Sequence, residues 1–154
     1  MAELHLPTDY EDLLREFSEC GVEFLLVGGW AVAVHGHGRA TDDIDLFVRA
    51  DPANARRIIE ALHRFGAPLS DHEVDEGLFS HERYGYRMGR KPQVIEILTR
   101  IDGVTFDEAA EDAVVVSVAD FQIPVIGRRA LLVNKRTARR PKDLADVAAL
   151  ENDE

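Results

Sequence analysis

Blocks of apolar residues, spaced as in helices or as in strands, divide the first half of the chain into elements. A helical stripe predicts a first helix that starts in a capping box with Thr8 as its N-cap and ends at Gly21. Strand-forming residues fill segments 22–27 and 44–49 and predict two strands. The small-residue segment 30–35 between them predicts a short helix, which a glycine pair opens.

The rest of the chain continues to alternate between helices and strands. Its predicted elements are, in order, a helix from Pro52 to a stop at Gly66, a loop or short exposed helix at 67–82, strands at 83–88 and 93–99 joined by a hairpin turn, a helix at 106–113, two apolar segments within 114–126, and two helical segments within 129–151. This alternation predicts an α/β (α+β) protein with a mixed β-sheet.

Length and composition narrow the class of protein. The chain has 154 residues, of which 45% are apolar, enough for one core. We therefore expect a single domain over 1–154, with a core at about 20–127 and a helical segment at about 128–154. No run approaches the ~18 apolar residues of a membrane span, and the acidic N-terminus lacks a signal-peptide pattern. With the single Cys20, this predicts a cytoplasmic protein that does not bind membranes.

The distribution of charge is uneven. The net charge of -11 argues against a protein that coats nucleic acid. Segment 128–142 nevertheless holds seven of the 18 basic residues and no acid. Such a local basic segment suits a compact anion such as a triphosphate, although a solvated helix face would have the same composition.

Three acids stand at the start of the second predicted strand. Asp43 and Asp45 are two apart, so both point to one face of a strand, and Asp42 precedes them. Two neighbouring carboxylates repel each other unless a cation lies between them. Oxygen ligands favour Mg²⁺ or Mn²⁺. The alternative is a polar strand entrance with no ligand.

A fourth acid interrupts a later apolar strand. Glu96 lies within the run Val94 to Leu98, where burial of a glutamate is costly unless it is paired, protonated or bound to metal. If this strand neighbours the strand that carries Asp43 and Asp45, three carboxylates converge. The alternative is an edge strand from which Glu96 faces solvent.

The glycine pair Gly28-Gly29 follows the first predicted strand and precedes a helix. Backbone N–H groups at such a helix start, with no side chains in the way, favour the close approach of a phosphate. Alone, a Gly-Gly pair usually marks only a turn. Here a short helix and then an acid pair follow it, and this combination is a more specific sign of a phosphate site.

These residues together resemble the nucleotidyltransferase superfamily related to polymerase β. Its signature is a helix-opening Gly-Gly or Gly-Ser, then roughly ten residues, then Asp-x-Asp and a third acid on a later strand. Here the counterparts are Gly28-Gly29, the motif at 43–45, and Glu96, with thirteen residues between Gly29 and Asp43. The resemblance is closest to antibiotic nucleotidyltransferases and to nucleotidyltransferase-like toxins of toxin–antitoxin pairs. It implies a nucleotidyltransferase fold with a central mixed sheet, flanking helices and C-terminal helices.

The C-terminal segment NKRTARRPKDLADVAALE is similar to a helix of the toxin-like group, which carries a lysine and then Arg-x-Lys-Asp-x-x-Asp. The resemblance implies that Lys135 contacts phosphate and that Asp143 helps to orient catalytic groups, with Arg140 as a further candidate site residue. A surface helix with an Arg140–Asp143 or Lys142–Asp146 ion pair is the alternative. Glu96 departs from the family pattern, in which many members have aspartate.

The resemblance implies transfer of a nucleoside monophosphate from a nucleoside triphosphate to a hydroxyl acceptor, with release of pyrophosphate. Asp43, Asp45 and Glu96 would be the metal-binding and catalytic acids, with Mg²⁺ or Mn²⁺ as cofactor. Gly28, Gly29, Thr41 and Lys135 would bind the nucleotide, and Arg39 would flank the acid motif. The acceptor is a small molecule, a tRNA or a protein.

Two alternatives to an active enzyme remain at this stage. The first is a catalytically degenerate member that acts as a binding module. The second is a component of a toxin–antitoxin pair, enzymatic or not. A homodimer that completes the pocket is a further expectation for so short a chain.

Overall fold

The computed structural model describes residues 3–38, 41–82 and 85–152. Six strands are present in this part of the chain: β1 (Phe24–Val27), β2 (Asp43–Val48), β3 (Gly85–Arg90), β4 (Gln93–Leu98), β5 (Val114–Val118) and β6 (Phe121–Val125). The helices are α1 (Thr8–Glu19), α2 (Gly28–Val34), α3 (Pro52–Phe65), α4 (Glu76–Phe79), α5 (Phe106–Glu111), α6 (Arg128–Ala138) and α7 (Pro141–Glu151).

The strands form one sheet in the order β3-β4-β2-β1-β6-β5. Strand β2 lies antiparallel to β1 and parallel to β4, and β6 is parallel to β1. The predicted mixed sheet with flanking helices is therefore confirmed. Since β4 has β3 on its outer side, the alternative of an edge strand for Glu96 is wrong.

The local signals for helix ends succeed at both ends of α3 and at the end of α1, where Gly21 follows the C-cap with a φ of +72°, but they fail at the start of α1. The Asp51 carboxylate caps α3 by accepting a hydrogen bond from the Asn54 N–H, and Gly66 ends the helix in the left-handed conformation. In α1, however, Pro7 is the N-cap and no side chain caps the helix, so the predicted Thr8 capping box is wrong. Proline at the N-cap shifts the helix start by one residue and places Thr8 inside the first turn.

Two further segments differ from the prediction. Segment 67–82 is not wholly exposed, because α4 within it buries the ring of Phe79 completely. Strand β3 extends further towards the turn than predicted, through Gly89 and Arg90, so that Lys91 and Pro92 alone make the turn, and β4 ends one residue earlier than predicted, at Leu98. No helix of the described residues is long and apolar enough to cross a membrane.

Helix α1 connects the core to the ends of two strands. Leu13, Leu14 and Phe17 are fully buried in the core. One turn earlier, the hydroxyl of Tyr10 lies 2.6 Å from the carbonyl oxygen of Asp42 and 3.1 Å from that of Val94. This helix therefore holds β2 and β4 together at the point where both strands begin.

Candidate active site

Three charged side chains form a row across three neighbouring strands. In the sheet register, Asp45 of β2 pairs with Glu96 of β4, and Glu96 pairs with Arg87 of β3. Side chains directly opposite each other on paired strands share a face and lie close together. The sheet therefore brings Glu96 beside the acid pair, with Asp43 two residues before Asp45 on the same face.

The glycine pair closes the other side of this row. Val27, the last residue of β1, pairs with Asp45, and α2 begins at the next residue. Gly28 has a φ of +69°, and a Cβ added there would lie 2.1 Å from Oδ2 of Asp45. Only glycine allows this backbone to turn into the helix while in contact with the carboxylate.

Gly28→Ala should therefore lower the free energy of unfolding by about 2–4 kcal/mol, from the unfavourable φ and the steric overlap with Asp45 together. Chemical denaturation measures this loss. Gly21→Ala is the matched control, because Gly21 has a φ of +72° with nothing within 4 Å of an added Cβ. It should cost only about 1 kcal/mol. An equal cost at the two positions would contradict the steric contact, whereas Asp45→Ala should partly restore stability in the Gly28→Ala background.

The acids at the centre of the row are electrostatically strained. Burial raises the pKa of Asp45 to about 7, and a hydrogen bond with Glu96 and the charges of Glu96 and Asp43 act in the same direction. Lys135 opposes the shift. In the described residues, Oδ1 of Asp43 and Oδ1 of Asp45 are buried and have no hydrogen-bond partner.

These features fit a cation ligand, since a bound cation would satisfy both buried oxygens and relieve the repulsion between the acids. The arrangement is not fully formed, however. Among residues 3–38, 41–82 and 85–152, no group of three His, Cys, Asp or Glu side chains is already arranged to hold a metal ion. The third acid is engaged elsewhere, because Oε1 of Glu96 binds the Arg87 guanidinium.

A second charged cluster lies where α6 meets α7. The ammonium group of Lys135 lies 3.2 Å from Oδ1 of Asp143 and 3.1 Å from Oδ2 of Asp146, and Lys135 is only 3% exposed. Arg140 donates to both carboxylate oxygens of Asp143 through Nε and Nη2. The Arg140–Asp143 ion pair of the alternative is thus present, and Asp146 forms an ion pair with Lys135.

The two clusters face each other across a cavity of about 650 Å³. The following residues line it: Val27, Gly28, Gly29, Thr41, Asp42, Asp43, Asp45, Arg87, Lys91, Glu96, Leu98, Arg100, Ile101, Asp102, Asn134, Lys135, Ala138, Arg140 and Lys142. Three of the seven basic residues of segment 128–142 are among them. The segment is therefore neither wholly a solvated face nor wholly part of the cavity.

The structure thus brings most of the predicted site residues to one cavity. Asp143 does not line it but holds two residues that do, Lys135 and Arg140. Arg39 lies outside the described residues. Sequence reasoning missed Arg87, which no motif marks, and Tyr10, whose place on the apolar stripe of α1 indicates only a core residue.

Comparison with known proteins identifies the family of the chain. A family model described as nucleotidyl transferase AbiEii toxin, Type IV TA system, matches residues 12–154. No curated protein matches the chain significantly.

Solved structures with the same fold include an antibiotic adenylyltransferase and a protein in complex with an adenylylated compound. The lincosamide antibiotic adenylyltransferase LnuA, bound to lincomycin, has a TM-score of 0.55 at 17% identity, covering 95% of this chain and 96% of its own. ANT(2")-Ia, in complex with adenylyl-2"-tobramycin, has a TM-score of 0.56 at 12% identity, covering 94% and 86%. A putative nucleotidyltransferase from Thermotoga maritima has a TM-score of 0.58 at 16% identity, covering 97% and 98%.

Proposed function

Since the chain belongs to the nucleotidyl transferase AbiEii toxin family of Type IV toxin–antitoxin systems, we propose that it is a metal-dependent enzyme with its active site in the 650 Å³ cavity. It transfers a nucleoside monophosphate from a nucleoside triphosphate to a hydroxyl acceptor. The observation that carries the metal assignment is the pair of buried oxygens, one each on Asp43 and Asp45, that have no hydrogen-bond partner. Mg²⁺ is the proposed ion and Mn²⁺ its substitute, since the ligands are carboxylate oxygens.

The nucleotide's phosphates are assigned to the wall between the two clusters. Gly28 and Gly29 present backbone N–H groups without side chains beside Asp45, and Thr41 stands at the entrance to β2. An ammonium group has three N–H donors, and Asp143 and Asp146 engage two of those of Lys135. The third is available to a phosphate oxygen at the cavity wall.

The reaction needs charge neutralisation and alignment more than covalent catalysis. The acceptor oxygen attacks the α-phosphorus, the bond from that phosphorus to the bridging β-phosphate oxygen breaks, and pyrophosphate leaves with the electron pair. A bound divalent ion supplies positive charge to the phosphate oxygens. Asp43 and Asp45 hold it, and Glu96 serves as a further ligand or takes the proton of the acceptor hydroxyl.

Calorimetry tests the nucleotide site directly. Each nucleoside triphosphate is titrated into the protein with Mg²⁺ and then with EDTA. We expect one nucleotide to bind in a Mg²⁺-dependent manner. We expect this binding to be lost in Asp43→Asn, because the substitution replaces a charged carboxylate ligand by a neutral amide. Asp42→Asn is the matched control: it removes the same charge one residue away, from a side chain that is exposed. No binding of any nucleotide, or equal losses in the two variants, would contradict the proposed site.

The proposal extends to the cellular partners. We propose that an antitoxin encoded beside this protein counteracts it, that the protein acts in the cytoplasm, and that a second copy completes the open side of the cavity. Growth arrest on expression, reversed by the neighbouring gene, would support the first point. Sedimentation of the purified protein tests the last.

A further inference from the structure

Arg87 is the basic residue at the end of the charged row. Its Nη1 atom binds Oε1 of Glu96 and lies 4.0 Å from Oδ2 of Asp43. It reaches these acids from β3, the edge strand, and its side chain is 54% exposed, against 26% for Glu96 and 31% for Asp43. The guanidinium therefore occupies the cavity side of the carboxylates.

This position is one that a metal ion bound to the same acids would need. A guanidinium and a divalent ion both compensate the charge of Asp43 and Glu96, and the guanidinium already occupies one acceptor site of the Glu96 carboxylate on the cavity side, where its positive charge repels an incoming ion. An exposed ion pair is weak and readily exchanged.

Once displaced, the guanidinium stays in the cavity, which Arg87 lines together with Gly28 and Lys135. The planar guanidinium matches two phosphate oxygens at once, which makes arginine a preferred partner of phosphate. Its long, exposed stem lets it turn from the carboxylates to a triphosphate without movement of the sheet.

We propose that Arg87 is an exchangeable counter-cation: it neutralises Asp43 and Glu96 in the free protein, competes with the divalent ion for them, and moves to the triphosphate when metal and nucleotide bind. This inference rests on the proposed function. It makes Arg87 a substrate-binding residue whose removal has opposite effects on the affinities for metal and for phosphate.

The test measures Mn²⁺ binding by the electron paramagnetic resonance signal of the free ion, without nucleotide. Arg87→Met keeps the length of the stem and removes the charge, and it should lower the Kd for Mn²⁺ about fivefold, less at high salt. Arg87→Lys keeps the charge and should bind Mn²⁺ as the wild type does. The matched control is Arg100→Met, since Arg100 lines the same cavity but pairs with Asp102, and its effect should stay within about twofold.

Inorganic triphosphate is the second probe, because it carries no base. With saturating Mn²⁺, Arg87→Met should bind triphosphate about tenfold more weakly than the wild type. The affinity of Arg87→Lys should lie between the two, since an ammonium group cannot match two phosphate oxygens as the planar guanidinium does. Unchanged or weaker Mn²⁺ binding in Arg87→Met would overturn the competition. Tighter Mn²⁺ binding with unchanged triphosphate affinity would overturn the transfer to phosphate.

Asp45→Asn separates this inference from the proposed function. If that variant binds Mn²⁺ as the wild type does, the carboxylate row is not the metal site and both proposals fail. If it loses Mn²⁺ while Arg87→Met is unchanged, only the role of Arg87 fails. Thermal melting of each variant shows that the fold is intact, as expected for an exposed residue on an edge strand.

Discussion

Asp45→Asn should reduce nucleotidyl transfer by about 10³-fold, since it removes a carboxylate that we propose holds the charge-neutralising ion. The same change should leave the metal-free protein folded and more stable by about 0.5–1 kcal/mol. The reason is that Asp45 stands directly opposite Glu96 in the sheet, and like charges in that position are destabilising. A loss of function combined with a gain in stability is characteristic of a carboxylate kept for its ligand.

Transfer of radiolabel from the triphosphate identified by calorimetry measures the first effect, and urea denaturation without metal measures the second. Asp102→Asn is the control, since Asp102 lines the same cavity and pairs with the exposed Arg100. It should change the free energy of unfolding by less than about 0.5 kcal/mol. If Asp45→Asn were destabilising, the carboxylate would have a structural role, and the metal assignment would lose its main support.

Lys135→Met should destabilise the protein by about 3–5 kcal/mol, the range found when one partner of a buried ion pair is removed. The ammonium group lies between two buried carboxylates, those of Asp143 and Asp146. Asp143 keeps its bonds from Arg140 after the substitution, and both buried carboxylates lose their ion pair with the ammonium. Lys135 is therefore a structural residue as well as the proposed phosphate ligand.

Chemical denaturation of three variants tests this account. Lys142→Met removes the same charge from an exposed position on α7 and should change stability by less than about 0.5 kcal/mol. Asp146→Asn in the Lys135→Met background should restore part of the loss, because it removes a buried charge together with its partner. A loss at Lys135 no larger than that at Lys142 would be incompatible with a buried ion pair.

Acid should weaken the same cluster. Burial alone would raise the pKa of Asp143, but the hydrogen bond from Arg140 and the charge of Lys135 outweigh it and lower the pKa. A carboxyl whose pKa falls on folding stabilises the native state at pH values above its ordinary pKa. That contribution disappears as pH falls through the lowered, folded-state value.

Local signals in the sequence account for much of the fold and for part of the site. Strand periodicity places Asp43 and Asp45 on one face, and the glycine pair predicts the turn from β1 into α2. Both are properties of a few consecutive residues. The mixed sheet likewise follows from the alternation of apolar segments, without any knowledge of which strands pair.

What local signals alone could not predict depends on contacts between distant segments, although the family resemblance implied that Glu96 acts with Asp43 and Asp45. The place of Glu96 beside Asp45 depends on the parallel pairing of β2 with β4. The place of Arg87 depends in turn on the register in which β3 pairs with β4. The basic composition of segment 128–142 also gives no sign that one of its basic residues, Lys135, is buried. The burial of Lys135 depends on Asp143 and Asp146, which reach it only after the chain turns into α7.

The sheet order also implies a gradient of hydrogen exchange across the charged row. Strand β2 has a partner on each side, so the amides around Asp45 should exchange only through global unfolding. Strand β3 has one partner, and the amides around Arg87 should exchange through local opening of the edge. The backbone around Asp45 thus belongs to the part of the protein whose amides exchange slowest, and the backbone around Arg87 belongs to a part whose amides exchange fast. When a ligand binds, we therefore expect the segment that carries Arg87 to adjust, while the strand that carries Asp45 stays in place.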